Sequence, residues 1–197
     1  MTHADTQDRH AARMARETRI GTTTLSERSD MALVSLGVKR GAQVPVPMGV
    51  SLPGPGNWHG GRGLGAFWTG PGQWMLEAEN VSEADMTRNL RHGMPGLSIS
   101  AQGASRVMLE LVACDASTIE DLIIRLTDLD VASFAPGSAR SARIGGAEIF
   151  AIRRSFNRLA LLVPRHDSGH IWQVVNRAMV ARAAAPRCVA NALEPAL

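Results

Sequence analysis

Tyrosine is absent from this 197-residue chain, and phenylalanine and tryptophan number four each. Pockets for large planar cofactors lean on aromatic and apolar walls, so the scarcity counts against such a pocket here. Cysteine is nearly missing. Cys114 and Cys188 stand alone, neither with a second cysteine at metal-ligand spacing. Two isolated cysteines build no disulfide framework, and a reducing cytoplasm is the expected location. No apolar run approaches the roughly 18 residues of a membrane span. The first 19 residues mix both signs of charge and hold no apolar segment, which argues against a secretory signal. Lysine is reduced to Lys39 against twenty arginines, yet the net charge is only +3 and the arginines are scattered. A nucleic-acid surface needs a basic stripe with interleaved aromatics. The nearest approach, Arg153-Arg154-Ser-Phe-Asn-Arg158, is short.

What is present divides the chain. Residues 41–72 hold ten of the nineteen glycines and five of the ten prolines. Beyond them, periodic apolar segments follow one another to about Ala184. The pattern predicts a polar leader over 1–19, a single domain over 20–184 that includes the Gly/Pro-rich loop at 41–72, and a tail over 185–197. Strands are expected near 22–25, 31–38, 66–68 and 73–76. Alternating prolines in Val44-Pro-Val-Pro-Met48 favour an edge or linker, and 51–65 reads as a long loop.

Ser82 caps a helix with Glu83 and Asp85 in its first turn, and His92-Gly93 ends it before Pro95. Strands over 97–101 and 106–112 come next. A second helix begins at Asp115 or Ser117, with Ile119, Leu122, Ile123 and Leu126 on one face. Gly145-Gly146 marks a hairpin between strands at 139–144 and 147–153. A strand over 159–163 closes at Pro164. A last helix starts near Asp167 or Ser168 with Ile171, Val174, Val175 and Ala178 inward. The sum is an α+β fold of antiparallel strands with packed helices.

Chemistry is harder to find. His166 and His170 stand four apart, but zinc needs three or four ligands and no cluster supplies the others. Cys114, between a strand and a cap, reads as small and buried. Glu120-Asp121 and Asp128 with Asp130 read as solvated charge. The glycines of Gly54-Pro-Gly56 and Gly60-Gly-Arg-Gly-Leu-Gly65 lack the following helix that a phosphate loop requires. They suit a flexible arm shaped by a neighbouring chain, with Trp58, Phe67 and Trp68 as interface anchors. Trp74, Phe156 and Trp172 read as core. No catalytic, cofactor-binding or metal-ligating residue is assigned.

Three segments carry a family resemblance: Gly70-Pro-Gly-Gln-Trp-Met-Leu76, Leu129-Asp-Val-Ala-Ser-Phe-Ala-Pro-Gly-Ser-Ala139, and Leu161-Leu-Val-Pro-Arg165 before a Trp-containing helix. In this order, over roughly 20–180, the chain resembles the gamma subunit of heterotetrameric sarcosine oxidase. That resemblance implies the α+β fold of the aminomethyltransferase-type folate-binding domain. It also implies a complex that oxidatively demethylates a secondary amine. FAD, FMN, NAD, tetrahydrofolate and zinc would sit in partner subunits: flavin-containing alpha and beta chains and a small delta chain. The gamma role implied is accessory and non-catalytic, with no nucleic-acid or membrane partner. Where the family has an Asp-Leu-Ser segment and a glycine-proline turn, this chain has Leu97-Ser-Ile-Ser-Ala-Gln-Gly103 and Ala113-Cys114. The alternatives are a free-standing tetrahydrofolate-binding or aminomethyltransferase-like protein, and an interaction domain with unrelated partners.

Overall fold

Strand and helix signals of the sequence resolve into two stacked sheets with helices on both outer faces. The structure, a computed structural model, describes residues 16–39, 44–94 and 96–185. Among them the chain forms β1 (Glu17–Ile20), β2 (Thr23–Arg28), β3 (Met31–Gly37), β4 (Trp58–Gly61), β5 (Leu64–Gly70), β6 (Gln73–Glu79) and α1 (Glu83–Gly93). There follow β7 (Ser98–Ala101), β8 (Arg106–Ala113), α2 (Ala116–Leu126), β9 (Ser138–Ile144), β10 (Ala147–Ser155), β11 (Arg158–Pro164) and α3 (Ser168–Ala184). A six-stranded sheet runs β1-β2-β8-β11-β10-β9 and a five-stranded sheet runs β4-β5-β6-β3-β7. Neighbouring strands pair antiparallel throughout.

Period-two alternation sorts the side chains into three cores. Leu109, Leu111, Leu159, Leu161, Ile149 and Ala151 face α2 and α3, where Ile119, Leu122, Ile123, Ile171, Trp172 and Val175 meet them. On the other sheet Val34, Leu36, Ala66 and Leu76 face Met86 and Leu90 of α1. Between the sheets lie Leu33, Phe67, Met75, Met108, Ile152, Ala160 and Leu162. The layers are therefore helix, sheet, sheet, helix. Central strands are buried on both faces, which is why they read as unbroken apolar runs.

One side of the sandwich is sewn shut. The Trp58 amide donates to the Gly137 carbonyl at 2.7 Å, and the Ala139 amide donates to the Gly56 carbonyl at 2.9 Å. These bonds join the β4 edge of one sheet to the β9 edge of the other.

Local chemistry accounts for the ends. The Ser82 hydroxyl accepts from the Asp85 amide, and the Asp115 carboxylate accepts from the Thr118 amide at 2.7 Å. Hydrogen bonds from Ser117 and from the Thr118 backbone hold the Asp115 carboxyl below its usual range. Asp115→Ala should lower stability by about 1 kcal/mol, read as a reduced urea midpoint with unchanged slope, whereas Asp115→Asn should stay close to wild type.

The boundaries differ from the sequence reading in two places. Residues 17–19, expected in the leader, instead form with Ile20 an edge strand, because the backbone of Glu17–Ile20 pairs with Thr23–Ser26 of β2. The Gly/Pro-rich stretch is not one loop. It contains β4 and β5, joined by a turn in which Arg62 (φ 54°) and Gly63 (φ 76°) both take the left-handed conformation of a tight hairpin. Val44–Met48 carries no strand, as its prolines require, and ends in a 3-10 turn at Pro47–Gly49. Residues 1–15, 40–43 and 186–197 lie outside the described residues, and with them Cys188 and most of the expected leader and tail.

Candidate functional site

Charge is concentrated where the two sheets part, at the end that holds the β4–β5 turn. β10 carries a bulge between Arg153 and Ser155. A bulge re-aims the extra side chain, and here it sends Arg154 into the gap between the sheets. Its Nη2 donates to Glu77 Oε2 of one sheet at 2.8 Å and its Nη1 to Glu110 Oε1 of the other at 3.0 Å. Glu110 Oε2 also accepts from Arg28 at 2.8 Å and Arg158 at 3.0 Å. Arg28 continues outward as a two-pronged pair with Asp30, both contacts 2.8 Å, and reaches Glu79 at 3.0 Å. Three arginines thus lock four carboxylates together across the sandwich.

Glu77 and Glu110 are each only 3% exposed. Burial alone would push the Glu110 carboxyl up. The charges of Arg154 and Arg158, with hydrogen bonds from Arg158 and Arg28, outweigh it and hold the carboxyl below the ordinary range. The bond from Arg28 does the same to Asp30, and the Arg28 guanidinium is raised in return. A general base working at neutral pH needs the opposite, a carboxyl raised toward 7 with a free lone pair at the substrate. The cluster ties one sheet to the other through Arg154, which bonds Glu77 and Glu110 at once.

Beside it opens a cleft of about 250 Å³, lined by Trp58, the 61–65 hairpin, Glu77, Glu79, Arg154 and Arg158. Trp58 forms one wall. Its Nε1 donates to Glu77 Oε1 at 2.9 Å, and its ring lies across Gly60 and Gly65. Gly60 and Gly65 are therefore the two glycines of this stretch that make room for the indole. A Cβ at Gly65 would stand 2.9 Å from Trp58 Nε1, too close for a real side chain.

Of the residues singled out by sequence, Trp58, the 61–65 segment, Arg154 and Arg158 line this cleft, whereas Phe67, Trp68, Cys114 and the two histidines do not. Phe67, read as an interface anchor, is fully buried between the sheets, its ring centroid 5.5 Å from that of Phe150. A partner cannot reach it, because the inward alternation of β5 spends it on the core. Trp58 and Trp68 are half-buried. Trp74 and Trp172 are core, but Phe156 is 66% exposed because it sits at the β10–β11 turn. Cys114 is exposed, correcting the expectation of a small buried residue.

Glu120 is not simply solvated. It accepts from Arg153, itself 1% exposed, at 3.0 Å. Asp121 pairs with Arg125 and Arg182, and Asp130 caps the turn Val131–Ser133. His166 lies beside Asp167 while His170 faces the Gly145 carbonyl, so the two histidines are held apart by different partners. Among the described residues no three His, Cys, Asp or Glu side chains gather as a metal site, and no helix is long and apolar enough to cross a membrane. Sequence reading missed the arginine–carboxylate cluster and the role of Trp58. The available signals were Trp58-His-Gly60 and the buried-strand positions of Glu77, Glu110 and Arg154.

No protein-family model matches the chain, and no curated protein matches it. Solved structures do. A chain of the heterotetrameric sarcosine oxidase from Corynebacterium sp. U-96, in complex with pyrrole 2-carboxylate, superposes with a TM-score of 0.73 at 20% identity, covering 85% of this chain and 89% of that one. Aminomethyltransferase T of the glycine cleavage system from Bartonella henselae gives a TM-score of 0.53 at 14% identity over 76% of this chain. The chain spans only 44% of that aminomethyltransferase. The expected α+β architecture is thus the one seen here, and it is the fold shared with a chain of heterotetrameric sarcosine oxidase and with part of aminomethyltransferase T.

Proposed function

We propose that the chain is an accessory, non-catalytic gamma-type subunit of a multisubunit sarcosine oxidase-like complex that oxidatively demethylates sarcosine or a related N-methyl amino acid. The observation that carries this reading is that the carboxylates around the inter-sheet cleft are already engaged. Its acids are tied to arginines, and Trp58 fills the space beside them. A fold that takes in 89% of a heterotetramer chain supports it, against 44% of the aminomethyltransferase. On this reading FAD, FMN, NAD, tetrahydrofolate and zinc belong to partner chains. Trp68, with Val44, Val46 and Met48 at 51%, 57% and 43% exposure, offers apolar surface to those partners.

The second reading is a free-standing tetrahydrofolate-binding or aminomethyltransferase-like protein. Pockets for ligands of that size run from about 300 to 1,000 Å³, and this cleft holds about 250 Å³ with its carboxylates already engaged. The residues present do not fit the cofactor. Titration of the isolated chain with tetrahydrofolate, followed by tryptophan fluorescence, separates the readings. A flat response and no turnover of sarcosine are expected. Saturable binding, or a yellow and active single chain, would reverse the assignment.

A further inference from the structure

We propose that the exposed row Val44, Val46 and Met48 docks into an uncharged, aromatic-lined groove of a partner chain, an inference that rests on the subunit reading and says where and how the contact is made. Residues 41–76 carry a single charged side chain, Arg62, in a chain that is 20% charged. Depletion of charge is the compositional mark of the buried centre of an interface. Near the start of that stretch Val44, Val46 and Met48 are exposed, while Pro45 is half-buried and Pro47 buried. The prolines turn inward and the apolar side chains outward. Met48 stands at φ 51°, followed by Gly49 at φ 81°. A left-handed methionine is strained, and no burial within this chain offsets that strain, because its side chain is exposed.

The row sits on a fixed base. Val50 and Leu52 pack on the outer face of the five-stranded sheet, on the same core as Met86 and Leu90 of α1. Just beyond, Trp74 Nε1 donates to the Pro53 carbonyl at 2.7 Å. Proline also fixes φ at 45 and 47, so docking freezes little that is not already fixed. Short extended segments punctuated by proline are recognised by aromatic-lined grooves, and methionine adapts its shape to such walls. A second copy of this chain fits poorly, for two reasons. Its prolines lack the amides that a strand ladder between copies requires. Among the described residues Phe156 is the one exposed aromatic side chain, at the β10–β11 turn, so a second copy has no aromatic groove to offer.

The test compares wild type, Val46→Asp, Val46→Leu and Val180→Asp, each tagged and purified from cells that also express the flavin-containing partner chains. Val180 is equally apolar and exposed but lies on α3. Val46→Asp should carry about tenfold less co-purifying flavin than wild type, because docking would bury a carboxylate without a partner. Val46→Leu and Val180→Asp should carry as much as wild type. The thermal midpoint of the lone Val46→Asp chain should match that of wild type, since the side chain is exposed. Full flavin recovery by Val46→Asp would overturn the docking row and leave the subunit assignment standing. A wild-type chain that brings down no flavin-containing chain would overturn both. A lowered midpoint or failed folding of lone Val46→Asp would make the row structural and overturn the proposal. So would a wild-type dimer that Val46→Asp returns to monomer, which would give the row to a second copy.

Discussion

Glu110→Ala should destabilise the isolated chain by about 3–5 kcal/mol, because removing one partner of a buried ion pair strands the others. Here it strands three: Arg28, Arg154 and Arg158 all donate to this one carboxylate. For a chain of this size that is a fall in Tm of roughly 6–20 °C. The effect should carry a pH signature. A depressed carboxyl adds stability above its ordinary value, 4.5 for glutamate, and loses it as pH falls through the lower folded value. In that range the unfolded chain takes up the proton first, so acid drives unfolding. Wild type and Glu110→Gln should therefore differ most near pH 7 and converge below about 4.5 as the wild-type carboxyl protonates. A difference that does not change with pH would mean the carboxylate is not held as described.

Phe67→Ala should cost about 3–5 kcal/mol in the isolated chain, as large-to-small changes in packed cores do. Phe67 is fully buried against Phe150 between the sheets. Trp68→Ala, one residue on and facing the other way, should cost clearly less. The pair distinguishes core from contact surface. Were Phe67 an anchor for a partner, its loss would leave thermal unfolding of the lone chain unchanged and weaken only the assembly.

Much of the architecture was legible because its signals are local. Gly145-Gly146 turns a hairpin with both residues at positive φ, and Asp115 caps α2 where the apolar period begins. Pro164 ends β11. The candidate site was not legible, because each of its members takes its meaning from another strand. Gly60 looks like a loop glycine until Trp58 lies on it, and Glu77 looks like a polar break in an apolar run until Arg154 reaches it. The bulge that aims Arg154 has no signature in the sequence. Phe156 misled for a related reason: it follows a strand of strong alternation but stands at the turn, where alternation no longer assigns a face. Charged residues inside a sandwich defeat a reading that places charge in solvent, and here they join the two sheets.

The assignment as an accessory chain rests on assembly, so the most direct measurement is the size and colour of the particle that contains it. The chain, tagged and purified from cells that express its native partners, should elute well above its own 21.1 kDa with flavin absorbance near 450 nm in the same peak. Elution at 21.1 kDa with no other chain, whether colourless or carrying flavin itself, would contradict the account.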